Sequence, residues 1–192
     1  MTRHDIFRPT LTLALALALV GVSACLGAAG AAWASGKAHE HGAMKLDVAV
    51  DGNTLVIALE TPLDNLLGFE RAPRNDAERK AAADVLARLR SPDMAAPLWS
   101  ADAAAQCSLS LAEVKAPVLE PVAGSPAPKG GHADLDARYE YRCAQPAALR
   151  QLDVALFDAY RRIKRIDVQV AGPQGQAKLT LRRPARSVPL VR

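Results

Sequence analysis

The chain has 192 residues, with 24 Lys+Arg against 20 Asp+Glu and a formal charge of +4. That balance is mild and the signs are interspersed, which excludes a nucleic-acid-binding class built on a basic face. The longest apolar run falls short of the ~20 residues a helix needs to cross a bilayer, so no membrane span is expected.

The N-terminus reads as an export signal. Arg3 and Arg8 precede the apolar stretch Leu11–Leu26, and Ala32-Trp33-Ala34 offers a small-x-small cleavage site. Residues 1–34 are expected to be a signal peptide, and residues 35–192 a single β-rich periplasmic domain, long enough to bury a core. Val22-Ser23-Ala24-Cys25 also resembles a lipobox, which would anchor the protein through a lipid on Cys25; both processing routes stay open. Loss of Arg3, Arg8 and Asp5 leaves 22 Lys+Arg against 19 Asp+Glu, a charge of +3.

Ser35 to Gly42 is a small, polar lead-in. Leu46, Val48 and Val50 then alternate with Asp47, Ala49 and Asp51, the period of a half-buried strand. Asp51-Gly52-Asn53 is a turn signal, and Thr54–Glu60 completes a hairpin. From Asn75 the period changes: Ala82, Val85, Leu86 and Leu89 form one helical stripe, Asn75 and Glu78 resemble a capping box, and Ser91-Pro92 ends the run.

An irregular stretch follows through Trp99, and strand patterns resume at Cys107, Leu109 and Leu111. Residues 120–131 form a Pro/Gly-rich loop. The cleanest alternation comes next, with Leu135, Ala137, Tyr139, Tyr141 and Cys143 on one face and Asp134, Asp136, Arg138, Glu140 and Arg142 on the other. Leu152–Leu156, Ile166–Val170 and Leu179–Leu181 read as three further strands of the same sheet, and Arg182–Arg192 as a surface tail. The fold class expected is α+β: a mainly antiparallel sheet of six to eight strands with one packed amphipathic helix and one disulfide.

That disulfide is Cys107–Cys143. These are the only cysteines after residue 34, and an isolated pair in an oxidising compartment is expected to be bridged; thiolate ligation of a metal would require them reduced.

Three histidines remain past the leader: His39, His41 and His132. Histidines at i and i+2 of an extended segment share a face, so the two of His39-Glu40-His41 can reach one cation, and His132-Ala133-Asp134 repeats that geometry with a carboxylate. Imidazole with carboxylate suits zinc, and would also take copper or nickel. The plain alternative is an unstructured polar lead and an exposed loop histidine. No catalytic signature accompanies them: there is no Gly-x-Ser-x-Gly elbow, phosphate loop, dinucleotide fingerprint or His-Glu-x-x-His helix, so no enzyme is expected. Tyr139, Tyr141 and Trp99 are expected in the core, and the acidic residues Asp47, Asp51, Asp134, Asp136 and Glu140 on a solvated sheet face.

Several phrases together resemble the ZrgA-like family of zinc-regulated periplasmic proteins implicated in zinc uptake. They are His39-Glu40-His41-Gly42, Thr61-Pro62, Gly68-Phe69-Glu70-Arg71-Ala72-Pro73 and Cys107. In the second half they are His132-Ala133-Asp134-Leu135 running through Tyr139 to Cys143 and Pro146, then Leu156-Phe157 and Ile166-Asp167-Val168-Gln169-Val170. The resemblance spans nearly all of the chain after the leader, in order. It implies a periplasmic zinc-binding protein that helps scavenge the metal or hand it to a zinc transporter component, with His39, His41 and His132 as ligands and Asp134 and Glu40 as weaker carry-overs. Members of that family often carry a histidine-rich insertion before the His132 strand. Glu120–Gly131 has no histidine, which argues against high-capacity storage. Three histidines leave room for water, or for a homodimer sharing one ion, to complete the shell. The other functional class left open is a non-metal envelope module that contacts a transporter or another envelope protein through a sheet edge or the basic tail Arg182, Arg183, Arg186 and Arg192.

Overall fold

A computed structural model of the chain describes residues 40–93, 97–120 and 133–190. The leader, His39, most of the Pro/Gly-rich loop and His132 lie outside these residues. The architecture is α+β. Strands β1 (Ala43–Asp51), β2 (Thr54–Pro62), β4 (Cys107–Lys115), β5 (Asp134–Cys143), β7 (Arg165–Gly172) and β8 (Gly175–Leu181) form a six-stranded sheet in the order β4-β5-β2-β1-β7-β8. Strands β3 (Trp99–Ala101), β6 (Gln151–Val154) and β9 (Ser187–Pro189) form a second sheet in the order β3-β6-β9. Helices α1 (Asp64–Leu67), α2 (Asp76–Arg90) and α3 (Leu156–Ala159), with short 3-10 turns at Ala103–Ala105 and Pro146–Ala148, complete the described elements.

The hairpin and helix follow the sequence periods. β1 and β2 pair with Asp51 opposite Thr54, and Gly52 supplies the left-handed φ of 56° in the two-residue turn between them. In α2, Ala82, Leu86 and Leu89 are buried, and the Asn75 side chain caps the helix by accepting from Glu78 N at 2.9 Å. The Glu78 carboxylate does not close the expected capping box onto Asn75. It reaches one residue further back, to Arg74 N at 2.7 Å, while holding the Arg71 guanidinium at 2.7 and 2.9 Å. No helix among the described residues is long and apolar enough to cross a membrane.

One face of the large sheet makes the core. Leu46, Ile57, Leu135, Tyr139 and Ile166 are fully buried on it, together with Leu89 of α2 and Leu152 and Val188 of the small sheet. Tyr139 donates from its hydroxyl to Leu89 O at the end of α2, and Trp99 Nε1 donates to the Tyr141 hydroxyl, which in turn donates to Asp93. The three rings are thus core residues, as expected, the two tyrosines in keeping with their alternation.

The large sheet is mainly antiparallel, as expected, with one parallel pair, β1 with β7. Other expectations need correction. The strand expected at Leu152–Leu156 ends at Val154 and belongs to the small sheet, and residues from Leu156 onward turn into α3. Trp99 opens a strand too short for period-2 reading to detect. The C-terminal stretch is no loose tail. β9 pairs with β6, Val188 is fully buried, and the Arg183 guanidinium donates to Ile163 O and Phe157 O at 2.7 and 2.6 Å. Arg186 pairs with Asp158 at 3.0 Å. Two of the arginines once available to a partner are therefore engaged by the fold itself.

Candidate metal centre

The described chain enters at Glu40 and turns sharply into β1. Ala43 N closes the turn on Glu40 O, and Gly42 adopts φ 85°, where a side chain would be strained and its Cβ would stand 2.9 Å from Lys164 Cγ. The carbonyl of Gly42 accepts from Lys164 N and Arg165 N at 2.7 and 3.0 Å, which ties the turn to the start of β7. From the other side comes Asn65 of α1, 1% exposed. Its Oδ1 accepts from Gly42 N at 2.6 Å, and its Nδ2 donates to Ala43 O at 2.7 Å and Thr61 Oγ1 at 3.0 Å. One buried amide thus satisfies backbone groups that would otherwise be stranded away from water.

This clamp presents His41. Its side chain is 58% exposed, and its Nε2 lies 3.0 Å from Oε1 of Glu70, whose side chain is 11% exposed. Glu70 is brought there by a segment braced at both ends. Gly68 takes φ 84° to end α1, Arg71 lies over the Phe69 ring at 4.9 Å, and Arg71 is held by Glu78 at the first turn of α2. The Arg71 guanidinium and the Arg74 amide hold the Glu78 carboxyl down at about 2.

Glu40 has a different fate. Both of its oxygens accept from Arg165, at 2.6 and 2.8 Å. Arg165 also donates to Asp167 at 3.0 Å. Asp167 is held below the usual carboxylate range: burial opposes this, but the hydrogen bonds from Arg165 and Thr180 outweigh it. Glu40 is therefore an anchor for the segment around His41 more than a spare ligand.

Asp134 opens β5, paired with Pro62 at the end of β2, and Leu63 N extends the ladder to Ala133 O at 2.8 Å. The starts of β1 and β5 and the end of β2 consequently lie at one end of the sheet. With β2 between them, β1 and β5 are separated by about 10 Å, two strand spacings. His39 and His132 fall outside the described residues, so of the expected ligands the structure locates His41 and Asp134. Among the described residues, no three His, Cys, Asp or Glu side chains converge as a ready-made cage. Cys107 and Cys143 form a disulfide and are not thiolate ligands.

The donors at this sheet end are nitrogen and oxygen, the set that borderline zinc accepts at about 2.0–2.2 Å. Sequence spacing did not single out Glu70 as part of the site. It stands 29 residues from His41, beyond any short motif, and its only signal was membership in the Gly68–Pro73 phrase. A shallow trough of about 620 Å³ on the outward sheet face, lined by Asp47, Arg138, Gln169 and Lys178 among others, includes no histidine.

Comparison with known proteins adds one positive finding. Residues 38–190 match the family model described as ZrgA family zinc uptake protein. No curated protein matches the chain.

Proposed function

Since the chain belongs to the ZrgA family of zinc uptake proteins, we propose that it is a periplasmic zinc-binding accessory protein, and not an enzyme. In this reading zinc is cargo, carried on neutral imidazoles of His39, His41 and His132 with a carboxylate, Asp134 foremost, or water completing the shell. The observation that carries it is the presentation of His41: a largely exposed imidazole on a turn locked by Asn65 and Arg165, at the sheet end where β5 begins with Asp134.

The chemistry suits transfer. Imidazole and carboxylate ligands can be exchanged one at a time, starting from the exposed His41, so a zinc transporter component could take the ion without unfolding the carrier. Export fits the charged, apolar leader, and the disulfide fits an oxidising compartment. The competing reading, an interaction module working through its basic tail, loses support because Arg183 and Arg186 are bound within the fold.

Calorimetric titration of zinc into the exported chain, beside a variant with His39, His41 and His132 changed to alanine, tests the proposal. Tight binding that disappears in the variant is the expected result. A wild-type chain that takes no zinc, or a variant that binds equally well, overturns it.

A further inference from the structure

We infer that Glu70 is the positioning residue of this site: it accepts the Nε2–H of His41 and leaves Nδ1 as the nitrogen that takes zinc. The inference rests on the zinc-binding reading above and adds to it the identity of the ligating atom.

The reasoning starts from the imidazole. A neutral ring has one N–H and one lone pair, and a neighbouring group decides which nitrogen carries which. An ionised carboxylate can only accept, so an Oε1 at 3.0 Å from Nε2 selects the tautomer with the proton on Nε2. The lone pair then belongs to Nδ1. Carboxylate–histidine–metal triads work in this way: the carboxylate fixes the ring and its tautomer and raises the basicity of the other nitrogen.

The surroundings favour this role over direct ligation by Glu70. Its side chain is mostly buried, while His41 is mostly exposed, so the carboxylate sits beneath the imidazole and not beside it at the surface. Each is set by its own brace. Asn65 and Arg165 fix the backbone around His41, and the Phe69–Arg71–Glu78 contacts fix the segment carrying Glu70. Glu40, the nearer carboxylate in sequence, is taken up by Arg165 and does not compete for the ring.

Nitrogen-15 NMR of the imidazoles, on the exported chain with and without zinc, reads the tautomer directly. The expected result is a protonated Nε2 on His41 in both states, with the metal-induced shift at Nδ1. Glu70→Gln keeps an acceptor but loses the charge, and should lower zinc affinity about tenfold. Glu70→Ala should also lose the tautomer preference, with a loss at the upper end of a 10- to 100-fold range. Both variants should keep the wild-type melting profile within a few degrees. Deprotonation of Nε2 with metal bound there, which direct ligation by Glu70 would produce, overturns this inference while sparing the zinc-binding reading. So does a Glu70→Ala chain that titrates like wild type. A wild-type chain that takes no zinc removes both together.

Discussion

The two ends of the large sheet are secured by different physics. At one, Cys107 and Cys143 face each other across β4 and β5 and are bridged, and Cys143 N donates to Asn53 O in the neighbouring hairpin turn. At the other, the starts of β1 and β7 are held by one buried amide, Asn65, and by the double hydrogen bond of Arg165 to Glu40. A covalent staple limits the unfolded chain whatever the local solvent, whereas hydrogen bonds and ion pairs can be remade around an incoming cation. In the proposed reading, the covalent staple lies at the end away from His41, and the end that would take and release zinc is held by bonds that can be remade.

Removing the staple should have the largest effect on stability. The bridge spans 36 residues, for which loop-closure entropy gives about 4 kcal/mol. A Cys107→Ala/Cys143→Ala double variant should lose about that much in denaturant unfolding while keeping zinc affinity near wild type. If affinity collapses in a chain that is still folded, the two ends are not independent. Asn65→Ala is the complementary change and should rank second. It strands Gly42 N–H and Ala43 C=O, at a cost of about 2–3 kcal/mol for buried groups left unsatisfied, and it loosens the turn beneath His41. Here zinc affinity should fall along with stability, and unfolding without any change in affinity would separate the clamp from the site.

The contrast also explains what the sequence could reveal. The disulfide end was legible, because Cys143 closes the strongest alternation in the chain and Cys107 is its only partner after the leader. The helix was legible too, because Ala82, Leu86 and Leu89 keep one stripe between an Asn cap and Ser91-Pro92. The histidine end was legible only in part. His41 stood out as a residue type, but Glu70 reaches it from 29 residues away, through a turn fixed by Gly68 and by Arg71. Asn65 follows Asp64 in a short segment with no periodic signal, and its importance arises only when α1 packs on the β1 turn. The parallel β1–β7 pair and the strand at Ser187–Pro189 were hidden for a similar reason: both depend on partners far along the chain, and the prolines and arginines around β9 read locally as a surface tail.

A smaller effect is expected where α2 braces the Glu70 segment. Asn75→Ala removes the cap on Glu78 N and should cost about 1 kcal/mol, with little change at the disulfide end. Glu78 gives the finer test, through pH. Hydrogen bonds from Arg71 and Arg74 lower its carboxyl from an ordinary value of 4.5 to about 2. A group whose folded pKa is depressed releases its proton more readily in the native state, so its stabilisation is fully present above pH 4.5 and drains away as pH falls towards about 2. Glu78→Gln should therefore be less stable than wild type at neutral pH, and the gap should close progressively across that acid window. Unfolding curves of the two proteins at stepped pH would show it. A gap that stays constant down to pH 2 would mean that the Gln variant is weakened by altered packing and not by loss of the charged brace, and the link from α2 to Glu70 would then be steric rather than electrostatic.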